Sequence, residues 1–243
     1  MADEGARLPA DQSGIDPGHL LPPPPEGGRL LVLDPAAPQA IEWAVEQLVN
    51  GRLVSFPTDT VYALAGSLAQ QAALDRIVAV KGRPSDKPLP VLLASAADLS
   101  RVALEATADV VALLARYWPG PLTVVVPARE GMPPAVVGPG QTVGVRVPNH
   151  PLALEVIHRC GGAVAATSAN RSGQSPAIDP DAVRAALGDD IDLLLAGGPT
   201  PGGVASTVIG FADEELVILR EGAIPGEVLV RAWREDRSAA DWS

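Results

Sequence analysis

The chain has little cysteine, little lysine, few aromatics and no long apolar run. Its single cysteine, Cys160, excludes an intrachain disulfide and any multi-cysteine metal site, and reads most simply as a small buried hydrophobe in a helical stretch. The three histidines, His19, His150 and His158, show no ligand spacing such as HExxH, so no protein-held metal is expected. Aromatics make up 3% of the residues, so the core must be built from Ala, Val and Leu, and stacking platforms for single-stranded nucleic acid are scarce. No segment has the length and apolarity of a membrane span. The opening MADEGARLPADQSG is acidic and lacks an apolar h-region, so no secretory leader is expected and the cytoplasm is the expected compartment. A net charge of −11 argues against broad, sequence-independent nucleic-acid binding, which depends on neutralising phosphates.

What is present stands out against that background. Only two of the eighteen basic side chains are lysines, and both fall in KGRPSDK at 81–87, as Lys81 and Lys87 with Arg83 between them. Lysine offers a compact, mobile ammonium suited to a polyphosphate, where arginine offers a rigid planar fork. The window follows PTDTVY at 57–62 and a short amphipathic helix, so it reads as part of a nucleotide-binding cleft.

Residues 1–28, rich in Pro, Gly and Asp, read as a mobile tail, and 231–243 as a frayed end. Residues 29–230 form the expected folded body. Strands are predicted at 30–33, 53–56, 89–94, 122–127, 142–148, 163–169, 192–196, 206–211 and 215–220. Helices are predicted at 38–50, 70–81, 107–117, 151–160 and 179–187. Some connections are short turns and others helical, so strand directions should be mixed. The expectation is a single α/β domain, of α+β type, around a twisted mixed sheet.

Polar motifs fall where strands meet loops, the usual place for ligand contacts in sheet-based folds. Neither a Walker loop nor a Rossmann fingerprint is present. Lys81, Arg83, Lys87, Arg146 and Arg220, with Arg171 less well placed, could hold a triphosphate and a carboxylate if they converge; alternatively, KGRPSDK is a solvated turn. Arg146 occupies an alternating strand position, where an unpaired buried charge is costly, so it serves either a ligand or a salt bridge. Thr58, Thr60, Ser168, Asn170 and Ser206 supply short hydrogen-bonding groups that could read a small ligand, or cap helices and fill turns. Asp59 could contact a metal or close an Asx-turn, Tyr62 could be pocket wall or core, and His150 suits a helix entry. No catalytic triad and no carboxylate pair is evident.

The order of the motifs is more specific than any one of them. FPTDTVYALA, VKGRPSDKPLPVLLA, YWPGPLTVVVPA, TVGVRVPNHPLA, AATSANRSGQSPA, GGPTPGGVASTV and ILREGAI together resemble the YrdC-like family, over roughly residues 30–226. The resemblance implies a twisted mixed sheet flanked by helices around a concave cationic cleft. It also implies synthesis of threonylcarbamoyl-AMP from L-threonine, bicarbonate or CO2, and ATP with Mg2+, releasing pyrophosphate. The product would pass to a tRNA threonylcarbamoyl-transferase complex acting beside the anticodon.

By the same resemblance, Lys81 and Arg83 match a KxR pair and carry the catalytic role. Together with Lys87, Thr142, Asn170 and Arg220 they would hold ATP. Thr60, Tyr62, Arg146, Ser168 and Ser206 would hold threonine. Leu92 stands where some relatives have histidine, and the chain resembles the short form of the family. Competing readings are an RNA-binding or ribosome-associated module and a carbamoyl-transfer relative; neither a membrane partner nor strong direct nucleic-acid binding is expected.

Overall fold

The computed structural model describes residues 30–84, 87–213 and 215–240. The tail expected at 1–28 lies outside the described residues. Among the described residues, ten strands form one mixed sheet. In chain order they are β1 (Leu31–Leu33), β2 (Val54–Phe56), β3 (Ala63–Ser67), β4 (Val91–Leu93), β5 (Leu122–Pro127), β6 (Thr142–Arg146), β7 (Ala163–Ser168), β8 (Leu193–Leu195), β9 (Thr207–Ala212) and β10 (Glu215–Arg220). Across the sheet the order is β1-β8-β2-β3-β7-β4-β6-β5-β9-β10. Six helices surround it: α1 (Ala40–Val49), α2 (Gln71–Lys81), α3 (Ala108–Tyr117), α4 (Pro151–Arg159), α5 (Pro180–Leu187) and α6 (Gly226–Ala240).

The helices divide between the two faces of the sheet. On one, α1 and α4 bring Ala44, Leu48, Val156 and Ile157 against Phe56, Val164 and Leu195. On the other, α2, α3, α5 and α6 bring Ile77, Leu113, Val183 and Trp233 into the core that contains Leu64, Val124 and Ile209. Because α1 and α4 cover only part of their face, the cleft occupies the remainder, over β6, β5, β9 and β10.

Two elements differ from the sequence reading. β3 was not expected, because ALAGS lacks the β-branched and aromatic residues that mark strands. Its small residues serve close packing instead: a Cβ on Gly66 would lie 3.1 Å from Ile77 Cδ1 of α2 and 3.4 Å from Ala73 Cβ. Pairing with both β2 and β7 makes this segment a central strand.

The frayed end expected at 231–243 is corrected over 231–240, since α6 carries helix through to Ala240, while 241–243 lie outside the described residues. Leu229, Ala232 and Trp233 form a buried stripe at helical spacing, and the Trp233 ring sits 4.9 Å from that of Phe211. The charged residues around the stripe mask it in sequence. Among the described residues, no helix is long and apolar enough to cross a membrane.

Candidate active site

A cleft of about 1020 Å³ opens on this face of the sheet, and all eleven side chains assigned to ATP or threonine from the resemblance line it. Cross-strand pairing builds its floor. Pro127 pairs with Thr142, Val125 with Gly144, and Leu92 with Arg146, while Thr123, Val208 and Arg220 form one row across β5, β9 and β10. Arg220 joins this row because the β9–β10 register shifts between Ile218 and Arg220. Such a bulge re-aims a side chain that strict alternation would send to the opposite face. The chain then turns at Gly222, where a Cβ would fall 2.4 Å from the carbonyl carbon of Ser206 and 2.4 Å from Thr207 N. Only glycine permits the loop to cross so close to the Ser206–Thr207 peptide.

At one end of the cleft, two motifs distant in sequence meet. Lys81 ends α2, with Gly82 in the left-handed conformation just after it. Its side chain is only 3% exposed, and Nζ donates to Ser168 O at 2.5 Å, Asn170 O at 2.6 Å and Asn170 Oδ1 at 3.4 Å. Burial pushes its pKa down to about 8, and the charge of Arg83 acts in the same direction. Asn170 Nδ2 in turn holds the following loop through Arg171 O and Gln174 O, both at 2.8 Å. Arg83 donates to Lys87 O at 3.0 Å and Pro88 O at 2.9 Å, which ties the end of α2 to the residues leading into β4. Burial and then the charge of Arg220 hold Arg83 below the usual guanidinium range.

Arg146 occupies the centre, 6% exposed. It donates from Nε to Gly120 O at 2.9 Å, from Nη1 to Thr60 Oγ1 at 2.9 Å and from Nη2 to Asp59 Oδ1 at 2.5 Å. The salt bridge foreseen as one alternative is therefore present, yet Arg146 also lines the cleft. Burial lowers its pKa and the Asp59 carboxylate opposes that shift. Tyr62 is both pocket wall and core: its hydroxyl donates to Gly198 O at 2.6 Å, and burial pushes its pKa up to about 12. Thr142 Oγ1 donates to Pro139 O at 2.9 Å at the outer end of β6.

At the far side, Arg220 Nη2 donates to Ser206 O at 2.7 Å and reaches Ser206 Oγ at 3.3 Å. Ser206 Oγ lies 2.8 Å from the hydroxyl of Thr123, a buried cleft residue that sequence reasoning missed. Strand alternation puts Thr123 on one face with Val125, but only the assembled sheet identifies that face as the cleft. Arg171 does not line the cleft: it donates to Val80 O at 2.7 Å and pairs with Asp190 at 2.5 Å. Asp59 lies behind Arg146, where it also accepts the Asn149 N–H at 3.0 Å. His150 sits at the entry to α4, with Nδ1 buried and unpartnered.

The electrostatics point to an anion. Among the described residues, no carboxylate forms an ion pair with Lys81, Arg83, Lys87 or Arg220, and the charge of Arg220 adds to burial in lowering the pKa of Arg83. Like charges gathered without counter-charges raise the free energy of the empty cleft and lower that of a bound polyanion. Among the described residues no cluster of three or more His, Cys, Asp or Glu is placed to hold a metal ion. The polar face thus offers cations and hydroxyls for a phosphate chain, beside one arginine with free donors for a carboxylate.

Comparison with known proteins follows the same lines. A model of the Sua5/YciO/YrdC family, described as telomere recombination, matches residues 46–222. The chain is similar to the threonylcarbamoyl-AMP synthase of Pyrococcus abyssi, at 39% identity over 188 residues, covering 77% of this chain and 55% of that one. It is similar to the enzyme of the same name from Bacillus subtilis, at 39% identity over 188 residues, covering 77% and 54%. Among solved structures, Pyrococcus abyssi Sua5 complexed with L-threonine aligns with a TM-score of 0.78 at 36% identity, covering 84% of this chain and 60% of that one. The chain therefore spans just over half the length of these two curated relatives.

Proposed function

Because this chain belongs to the Sua5/YciO/YrdC family, we propose that it makes threonylcarbamoyl-AMP from L-threonine, bicarbonate or CO2, and ATP. The observation that carries the reading is the pairing of two unlike anion sites in one cleft: four cations without carboxylate partners among the described residues, and Arg146 with donors to spare. An arginine has five N–H donors, and three are used here, which leaves one on each terminal nitrogen of Arg146 for a carboxylate fork. The relative solved with L-threonine supports an amino-acid ligand for this fold.

In this reading Arg146 takes the threonine carboxylate, with Thr60, Ser168 and Ser206 offering hydroxyls and Tyr62 forming a wall. The amine adds to CO2, and a carbamate oxygen attacks the α-phosphorus of ATP as pyrophosphate leaves in line. The chain's own task is alignment and charge stabilisation. Lys81 and Arg83 face the charge that develops on the reacting phosphates. Lys87, Thr142, Asn170 and Arg220 hold the remainder of the nucleotide. Mg2+ would enter with ATP, held by phosphate oxygens and water, since the cleft supplies cations rather than a carboxylate cage. The mixed anhydride formed is an acyl donor for a tRNA-modifying transferase.

The test is pyrophosphate release from ATP with bicarbonate and Mg2+, with and without L-threonine. Release that requires threonine is the expected result. Release indifferent to threonine, or none from a folded protein that binds ATP, would overturn the reading.

A further inference from the structure

We propose that Asp59 is a positioning residue, which acts through Arg146 to set the direction in which that guanidinium meets the amino-acid carboxylate. The proposal rests on the reading of Arg146 given above. Asp59 itself does not line the cleft, whereas Arg146 does, so the carboxylate approaches the guanidinium from the side away from the ligand space. Its Oδ1 accepts from Arg146 Nη2 at 2.5 Å and from Asn149 N at 3.0 Å, tying β6 to the entry of α4. The side chains of Arg146 and Asp59 are 7% and 12% exposed, so the pair is screened from water.

A buried guanidinium needs a counter-charge, because leaving one unpaired is strongly destabilising. A carboxylate across the front of the fork would meet that need but would occupy the place of the substrate. Asp59 meets it from behind. With Gly120 O on Nε and Thr60 Oγ1 on Nη1, all three nitrogens of Arg146 are anchored and its plane is fixed, while one N–H on each terminal nitrogen stays free.

The loop that carries Asp59 is itself held rigid. Thr58 Oγ1 accepts from Thr60 N at 3.2 Å and Val61 N at 3.3 Å, and donates to Val61 O at 2.7 Å. Gly203 N caps Thr60 O at 2.8 Å, and a Cβ on Gly202 would fall 2.5 Å from Asp59 O. Asp59 therefore has one geometry to offer. The PTDT sequence supplies Thr60 and Asp59 to the same guanidinium from adjacent residues.

The experiment measures L-threonine and ATP binding by calorimetry, and kcat/KM for each substrate, in Asp59→Ala and Asp59→Asn. Both variants are made in the wild-type and Arg146→Ala backgrounds. Asp59→Ala should weaken threonine by about tenfold and ATP by less than about twofold, as expected for a charge-assisted bond lost beside one ligand. Asp59→Asn keeps an oxygen that can accept from Arg146 and Asn149, so its threonine loss should be smaller, about threefold. In the Arg146→Ala background neither change should weaken threonine further.

Unchanged threonine affinity in both variants would overturn the proposal, as would equal losses for threonine and ATP or an additive loss without Arg146. If Asp59→Ala does not fold, Asp59→Asn in the two backgrounds carries the same comparison. Wild-type protein that binds ATP but no L-threonine would overturn the reading of Arg146 itself, and the proposal with it.

Discussion

Replacing Lys81 with methionine separates the work of the cleft from the work of the fold. The free ammonium is buried at the end of α2, and its pKa is lowered from 10.5 to about 8. Near neutral pH the folded protein therefore keeps a proton at a cost of about 3 kcal/mol relative to the unfolded chain. Methionine removes that cost but gives up two short charge-assisted hydrogen bonds to Ser168 O and Asn170 O, each contributing about 1.5 kcal/mol. The two terms offset each other, so the variant should lie within about 1 kcal/mol of the wild type, with a melting temperature within about 2–4 °C of it.

The sign with pH follows from the lowered pKa. The penalty on wild-type Lys81 is complete below about pH 8 and relieved as pH rises from there toward 10.5, because the folded state releases the proton first. The stability of Lys81→Met relative to the wild type should therefore fall over that interval. Pyrophosphate release should fall by about a hundredfold or more, the usual effect of removing one preorganised donor to developing charge. Calorimetric melting at pH 7 and pH 10, alongside the release assay, gives both readouts. A melting temperature more than about 5 °C below wild type at pH 7 would refute the reasoning, since Lys81 would then be a structural residue. Undiminished turnover would refute its placement on the phosphates.

Other perturbations bear on separate parts of the site. Arg146→Ala should raise the threonine KM by at least about tenfold while leaving the ATP KM within about twofold, as measured by initial rates with each substrate varied. ATP affinity of the free protein should be flat below about pH 8 and fall above it as Lys81 loses its charge, with the inflection moved to higher pH once the phosphates are bound; titration calorimetry at fixed ionic strength reads this. Gly222→Ala should destabilise the protein by several kcal/mol, roughly 2–4, and weaken ATP through Arg220, because a Cβ there overlaps the Ser206–Thr207 peptide. Wild-type stability in that variant, read by urea denaturation, would show that the loop can move aside.

Much of the fold was legible because hydrophobic period and turn residues agreed along the chain. The stretch LTVVVP is a strand over the same residues as expected, and the helix expected at 38–50 forms at Ala40–Val49 ahead of Gly51, although its buried stripe, Ala40, Ala44 and Leu48, is seen only in the structure. β3 was not legible because small residues carry no strand signal; its conformation comes from the neighbours on both sides. The buried stripe of α6 was hidden by the charges around it. At the site, the cationic residues were visible through the rarity of lysine and the motif order. Thr123 and the orientation of Arg220 were not, since one depends on which sheet face stays uncovered and the other on a bulge. Asp59 was read as a metal contact or a turn former because its partner, Arg146, lies 87 residues further along the chain.

The most direct test of the proposed chemistry is mass analysis of the nucleotide product formed from ATP, L-threonine and isotopically labelled bicarbonate. A threonine adduct of AMP that carries the bicarbonate label is the predicted product. Unlabelled threonyl-AMP, or AMP and pyrophosphate formed without threonine, would contradict it.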